Sequence, residues 1–103
     1  MKFTGGIHYG SSYYNALNAT WPFATLIVEP DKILLNTTFF SSFTFPQSQI
    51  KALSKYSGFF SKGLLIEHEI TNYPSFIVFW TFDFRSVESG LIENGYTVRV
   101  GKK

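Results

Sequence analysis

From Trp21 onward, apolar and polar residues alternate in short runs, and each run ends near Pro, Gly, Asn or Asp. Successive side chains of a strand point to opposite faces, so this pattern favours half-buried β-strands. In Trp21–Glu29, residues Ala24, Leu26 and Val28 share one face. Glu29-Pro30-Asp31-Lys32 then reads as a tight turn, with Pro30 presetting φ and Asp31 suited to the next position. Lys32–Thr38 is its partner strand, and Phe43–Phe45 is a short third strand stopped by Pro46. Ile50–Tyr56 sets Ile50, Ala52 and Tyr56 inward against Lys51 and Lys55, which favours a strand and leaves a helical turn open. Leu64, Ile66, His68 and Ile70 share a face opposite Glu67 and Glu69. Asn72-Tyr73-Pro74 turns the chain into Phe76–Phe82, the most apolar run, expected to be central and covered on both faces.

At Asp83 the period changes. Asp83 or Ser86 suits a helix N-cap, and Phe84, Val87 and Leu91 form one helical stripe. Gly90 weakens that helix by about 1 kcal/mol relative to Ala, and Gly95 ends it. Tyr96, Val98 and Val100 alternate as a last strand. Residues 1–18 differ, being rich in Gly, Ser, Tyr and Asn. Gly5, Gly6 and Gly10 loosen the backbone, so this stretch is expected as an arm or irregular edge strand. Its Tyr9, Tyr13 and Tyr14 argue that it packs on the body or on a neighbour. Residues 19–103 are expected to form the domain proper.

The 103 residues suit one domain, and 45% hydrophobic against 16% charged residues suffices for a core. Twelve phenylalanines are many for this length, enough to leave some for a partner. A net charge of +2 is too mild an excess for a nucleic-acid footprint, and none is expected. The absence of cysteine removes thiolate metal sites and fits a reducing compartment. No run approaches the roughly 18 apolar residues of a membrane span. Thr4, Gly5, Gly6, His8 and Gly10 interrupt any leader-like segment, so a cytoplasmic protein is expected.

The order of elements carries a resemblance. Trp21-Pro22-Phe23-Ala24-Thr25-Leu26, the Pro30-Asp31 turn and the Phe45-Pro46 step before Ile50 are its first pieces. Lys62-Gly63-Leu64, the Phe76–Thr81 strand and the helix ending at Gly95-Tyr96 complete it, over about three quarters of the chain. Together they resemble the small bacterial pleckstrin-homology-like (PH-like) domains, and more loosely the GRAM domains. The resemblance implies a mainly β fold with one C-terminal helix: two near-orthogonal antiparallel sheets in a barrel capped by that helix. It also implies a scaffold for lipid headgroups, peptides or oligomer contacts. Lipid-binding members carry several basic residues around the first hairpin loop. Here Glu29-Pro30-Asp31 stands with Lys32 alone, so no phosphoinositide residues are carried over.

Phe59-Phe60, between Lys55 and Lys62, is the leading candidate surface: an apolar loop tip for a protein groove or a bilayer, or two rings folded back on the core. Phe39-Phe40 offers the same choice without lysines. Glu67-His68-Glu69 does not converge on one strand face, and His68 reads as a half-buried histidine satisfied by a neighbour. Asp83 beside Arg85 reads as a cap, and Trp21 and Trp80 as core residues before stacking platforms. No catalytic, metal or cofactor set is found, and no small-molecule substrate is implied. The expectation is a non-enzymatic PH-like interaction module that binds a protein partner or forms a homo-oligomer. The alternative is peripheral binding to anionic membrane lipids through Phe59-Phe60 and the nearby lysines.

Overall fold

The glycine-rich N-terminus folds as a strand, β1 (Lys2–Gly10), and lies in the middle of the sheet. The computed structural model describes residues 1–10, 16–38, 42–57 and 62–102. Within them follow β2 (Ala16–Val28), β3 (Lys32–Thr37), β4 (Phe43–Pro46), a 3-10 turn (Gln47–Gln49) and β5 (Ile50–Ser57). Then come β6 (Lys62–His68), β7 (Phe76–Thr81), α1 (Phe84–Glu93) and β8 (Val98–Lys102). The described residues are thus mainly β with one α-helix. Their eight strands belong to one mixed sheet ordered β4-β3-β2-β1-β7-β6-β5-β8, open between β4 and β8. All pairings are antiparallel except β5 with β8, because the helix carries the chain back before β8. Of the expected barrel of two sheets, the β-rich class and the single helix are present.

Of residues 1–18, expected as an arm or irregular edge strand, residues 2–10 are corrected by this arrangement to a central strand, and residues 11–15 lie outside the described residues. β1 is hydrogen-bonded on both sides, to β2 from Lys2↔Ile27 to Gly10↔Ala16, and to β7 from Gly6↔Trp80 to Gly10↔Phe76. The glycines that read as loosening are where other chain segments come closest. A Cβ on Gly5 would lie 2.0 Å from the Trp80 carbonyl oxygen. One on Gly6 would lie 2.6 Å from the Ala19 carbonyl oxygen, where the β1–β2 register breaks and Thr20–Phe23 bulge outward.

The core lies on one face of the sheet. Ile7 and Tyr9 of β1, Leu26 of β2, Ile33 and Leu35 of β3, Phe45 of β4, Leu64 and Ile66 of β6, and Ile77 and Phe79 of β7 all contribute to it. The helix closes it with Phe84, Val87 and Leu91, the stripe read from spacing. Asp83 is the N-cap: the Ser86 backbone N–H donates to Oδ1 at 3.3 Å and the Ser86 hydroxyl to Oδ2 at 2.6 Å. Those bonds, with Arg85 nearby, hold the Asp83 carboxyl below its usual range against a small opposing effect of desolvation. Gly95 ends the helix at φ +92°, the left-handed region open to glycine.

At the helix exit, Tyr96 donates its hydroxyl to the Glu29 carbonyl oxygen at 2.7 Å and is 7% exposed. Burial, and then the charges of Asp31 and Glu29, push its phenol above the ordinary tyrosine value. A raised acid pKa means that the neutral form is favoured in the fold. Its stability is therefore full below the ordinary tyrosine value and is lost as pH rises through the folded value. Tyr96→Phe is expected to cost about 1 kcal/mol at neutral pH and to flatten the alkaline loss of stability. Urea midpoints taken from neutral pH into the alkaline range check both effects.

Candidate functional site

The sheet is apolar on its second face as well. Alternation along β7 sends Ile77 and Phe79 to the core, and Phe76, Val78 and Trp80 outward. Register sets Val78 beside Leu65 of β6 and His8 of β1, and Trp80 beside Gly63 and Gly6. From β5, Tyr56 joins this outer cluster. Its ring meets Phe76 edge-on at 5.7 Å and Trp80 at 5.8 Å, while the His8 ring meets Phe76 at 5.8 Å and Trp80 at 6.5 Å. These are the separations at which aromatic rings attract through their edges and faces. Val78 is wholly buried among them, whereas Phe76 and Trp80 are only half-buried. The result is an aromatic floor.

A ridge stands at one end of that floor. Four residues, Thr20–Phe23, bulge from β2 opposite the single residue Gly6, and the Trp21-Pro22 peptide within them is cis. Trp21 meets the ring of Phe82, the residue after β7, at 6.4 Å. Trp21 is 53% exposed, Phe23 37% and Phe82 79%. The ridge depends on Gly6, because a side chain there would strike the bulged backbone of Ala19 and Thr20.

Neither tryptophan lies in the main core, contrary to expectation. Trp21 is carried outward by the bulge, and Trp80 has the outward parity of β7. Tyr56 is also corrected. A register shift between Ile50 and Ala52 reverses the facing of β5, placing Leu53 in the core and Tyr56 outside. Of the candidate surface, Phe59, Phe60, Phe39 and Phe40 lie outside the described residues. Lys55 is half-buried, with Nζ 5.6 Å from the centre of the Phe84 ring, so its charge faces the helix entrance. Lys62 is exposed at the start of β6, in register with Thr81.

His68 has the structural role expected of it. Nδ1 accepts the Ile70 backbone N–H at 3.0 Å, which leaves Nε2 to donate to the Pro74 carbonyl oxygen at 2.7 Å. Both bonds brace the β6–β7 turn, and Tyr73 of that turn accepts the Thr44 N–H of edge strand β4 through its hydroxyl. Among the described residues, no three His, Cys, Asp or Glu side chains gather as a metal-holding group. No described helix is long and apolar enough to cross a membrane.

No family model, curated protein or solved structure matches the chain. What can be said of the site therefore comes from its own chemistry. Its floor and ridge present ring faces and edges suited to apolar and edge-to-face contact. The sequence signal for this face was the continuous run Phe76–Trp80: it was expected to be covered on both faces, and its alternate residues do face opposite sides of the sheet.

Proposed function

We propose that this domain is a non-catalytic interaction module on a PH-like plan, working in the cytoplasm and binding protein through its outer aromatic face. Supporting the plan is the order of elements: antiparallel meanders β1–β4 and β5–β7, joined through β1 and β7, followed by one helix against the core. The docking reading is carried by the Trp21–Phe82 pair, whose rings sit 6.4 Å apart yet remain 53% and 79% exposed. Folding gains little from rings left in water, since stabilisation follows apolar area removed from it. Contiguous exposed aromatics mark interaction surfaces, and tryptophan is among the residues that dominate binding energies.

A protein is favoured over a lipid headgroup by the placement of charge. The chain between β1 and β2, residues 11–15, has the sequence Ser-Ser-Tyr-Tyr-Asn and no basic side chain. Lys32, beside the next turn, is 3.6 Å from Glu29, and Lys55 faces Phe84. Exposed binding residues differ from core residues in what their removal does to the fold. Trp21→Ser and Phe82→Ser are each expected to shift stability by no more than about 0.5 kcal/mol in urea unfolding. A loss of about 2 kcal/mol or more in either would make the ridge a packing element and end the docking reading.

A further inference from the structure

We infer that the occupant of the outer face is a second copy of this chain, packed face to face across a two-fold axis. The inference rests on reading the domain as an interaction module and adds the identity of the partner.

Charge is the first argument. In a two-fold contact each patch meets its own image, so a charge near the axis approaches its twin. The centre of this face, formed by His8, Tyr56, Leu65, Phe76, Val78 and Trp80, carries no Asp, Glu, Lys or Arg. Charge enters at the margin: at Glu67 of β6, and along edge strand β8, where Arg99 is in register with Ser54 and Lys102 with Tyr56. A basic or acidic partner would find nothing complementary at the centre, whereas an identical face meets no like-charge repulsion there.

Shape is the second. The face has a ridge, Trp21 with Phe82, at one end and a lower floor around Phe76, Tyr56 and Leu65 beyond it. A two-fold axis between ridge and floor sets each ridge on the other copy's floor. Both ridges are then removed from water, and the half-buried Phe76 and Trp80 are covered by the same step.

Area sets the strength. Four strands spaced about 4.8 Å apart, each running about six residues at roughly 3.3 Å and turning alternate ones outward, give a patch of about 400 Å² per copy. That is about half of the roughly 800 Å² per partner of a standard interface. The dimer is therefore expected to be weak and to form only as concentration rises.

Sedimentation equilibrium of the whole chain from about 5 to 500 μM tests this. The expected mass rises with concentration from 11.8 kDa toward twice that value and no further. The double variant Trp21→Ser/Phe82→Ser, and independently Phe82→Lys, are expected to weaken association at least tenfold with unchanged urea midpoints. A wild-type chain that stays at 11.8 kDa throughout overturns the dimer. The module reading then still stands or falls on the stability of the single variants. Undiminished association of both folded variants overturns the placement of the dimer on this face. Sedimentation of a monomeric chain with vesicles containing phosphatidylserine, abolished in Phe82→Lys, overturns the second copy in favour of a lipid surface.

Discussion

Gly5→Ala is expected to leave the protein without a stable native state. The added methyl carbon would lie 2.0 Å from the Trp80 carbonyl oxygen and 2.7 Å from Phe79 Cζ. Overpacking a core usually costs about 1 to 3 kcal/mol, because flexible side chains give way. Here the nearest atom is backbone, in β7, the strand that pairs with β1 from Gly6↔Trp80 onward. Moving it means opening the middle of the sheet. The loss should therefore exceed about 3 kcal/mol, a large share of the roughly 5 to 15 kcal/mol that domains of this kind possess. Adding Phe79→Leu should not restore folding, since it relieves the ring contact and leaves the backbone one. Dispersed amide resonances in the wild type and their collapse in both variants would check this. A Gly5→Ala protein with near-native stability would show that β1 and β7 are further apart than described.

Phe45→Ala is expected to cost about 3 to 5 kcal/mol, the range for deleting a buried phenylalanine. Phe45 is fully buried, with Phe43 at 6.3 Å, His68 at 5.4 Å and Tyr73 at 5.5 Å between ring centres. It ties the four-residue edge strand β4 to the turn braced by His68, so its removal leaves a cavity where β4 has no second neighbour. Urea unfolding should show a lower midpoint with an unchanged slope. Phe43→Ala, at the other end of β4, is a useful comparison because Phe43 is 4% exposed and contacts Tyr9.

Much of this architecture is written in local alternation. The inward set Ala24, Leu26 and Val28, the turn at Pro30-Asp31, the face of β6 and the stripe Phe84, Val87, Leu91 all lie where spacing places them. These elements are legible because each side chain reports its own facing. β1 is not, since Gly5, Gly6 and Gly10 contribute no side chain to the period, and what requires them is the approach of distant β2 and β7. Tyr56 misled for a related reason: one register shift, at Ile50/Ala52, reverses the facing of everything after it. The candidate site was the least legible part. Trp21 and Phe23 have strand composition, and only the break in the β1–β2 register opposite Gly6 turns their segment out of the sheet. Trp80 looks like core in a continuous apolar run, and its outward parity follows from which neighbour is buried.

The placement of residues 2–10 at the centre of the sheet underlies both the core and the outer face, since Ile7 faces one and His8 the other. Native-state amide hydrogen exchange reads it directly, because a strand bonded on both sides opens only when the sheet does. The amides of residues 6–10 should be as strongly protected as those of β7, exchanging near the rate set by global unfolding. Exchange of residues 6–10 at unprotected rates, while Ile77–Phe79 stay protected, would contradict the central strand and remove the outer face with it.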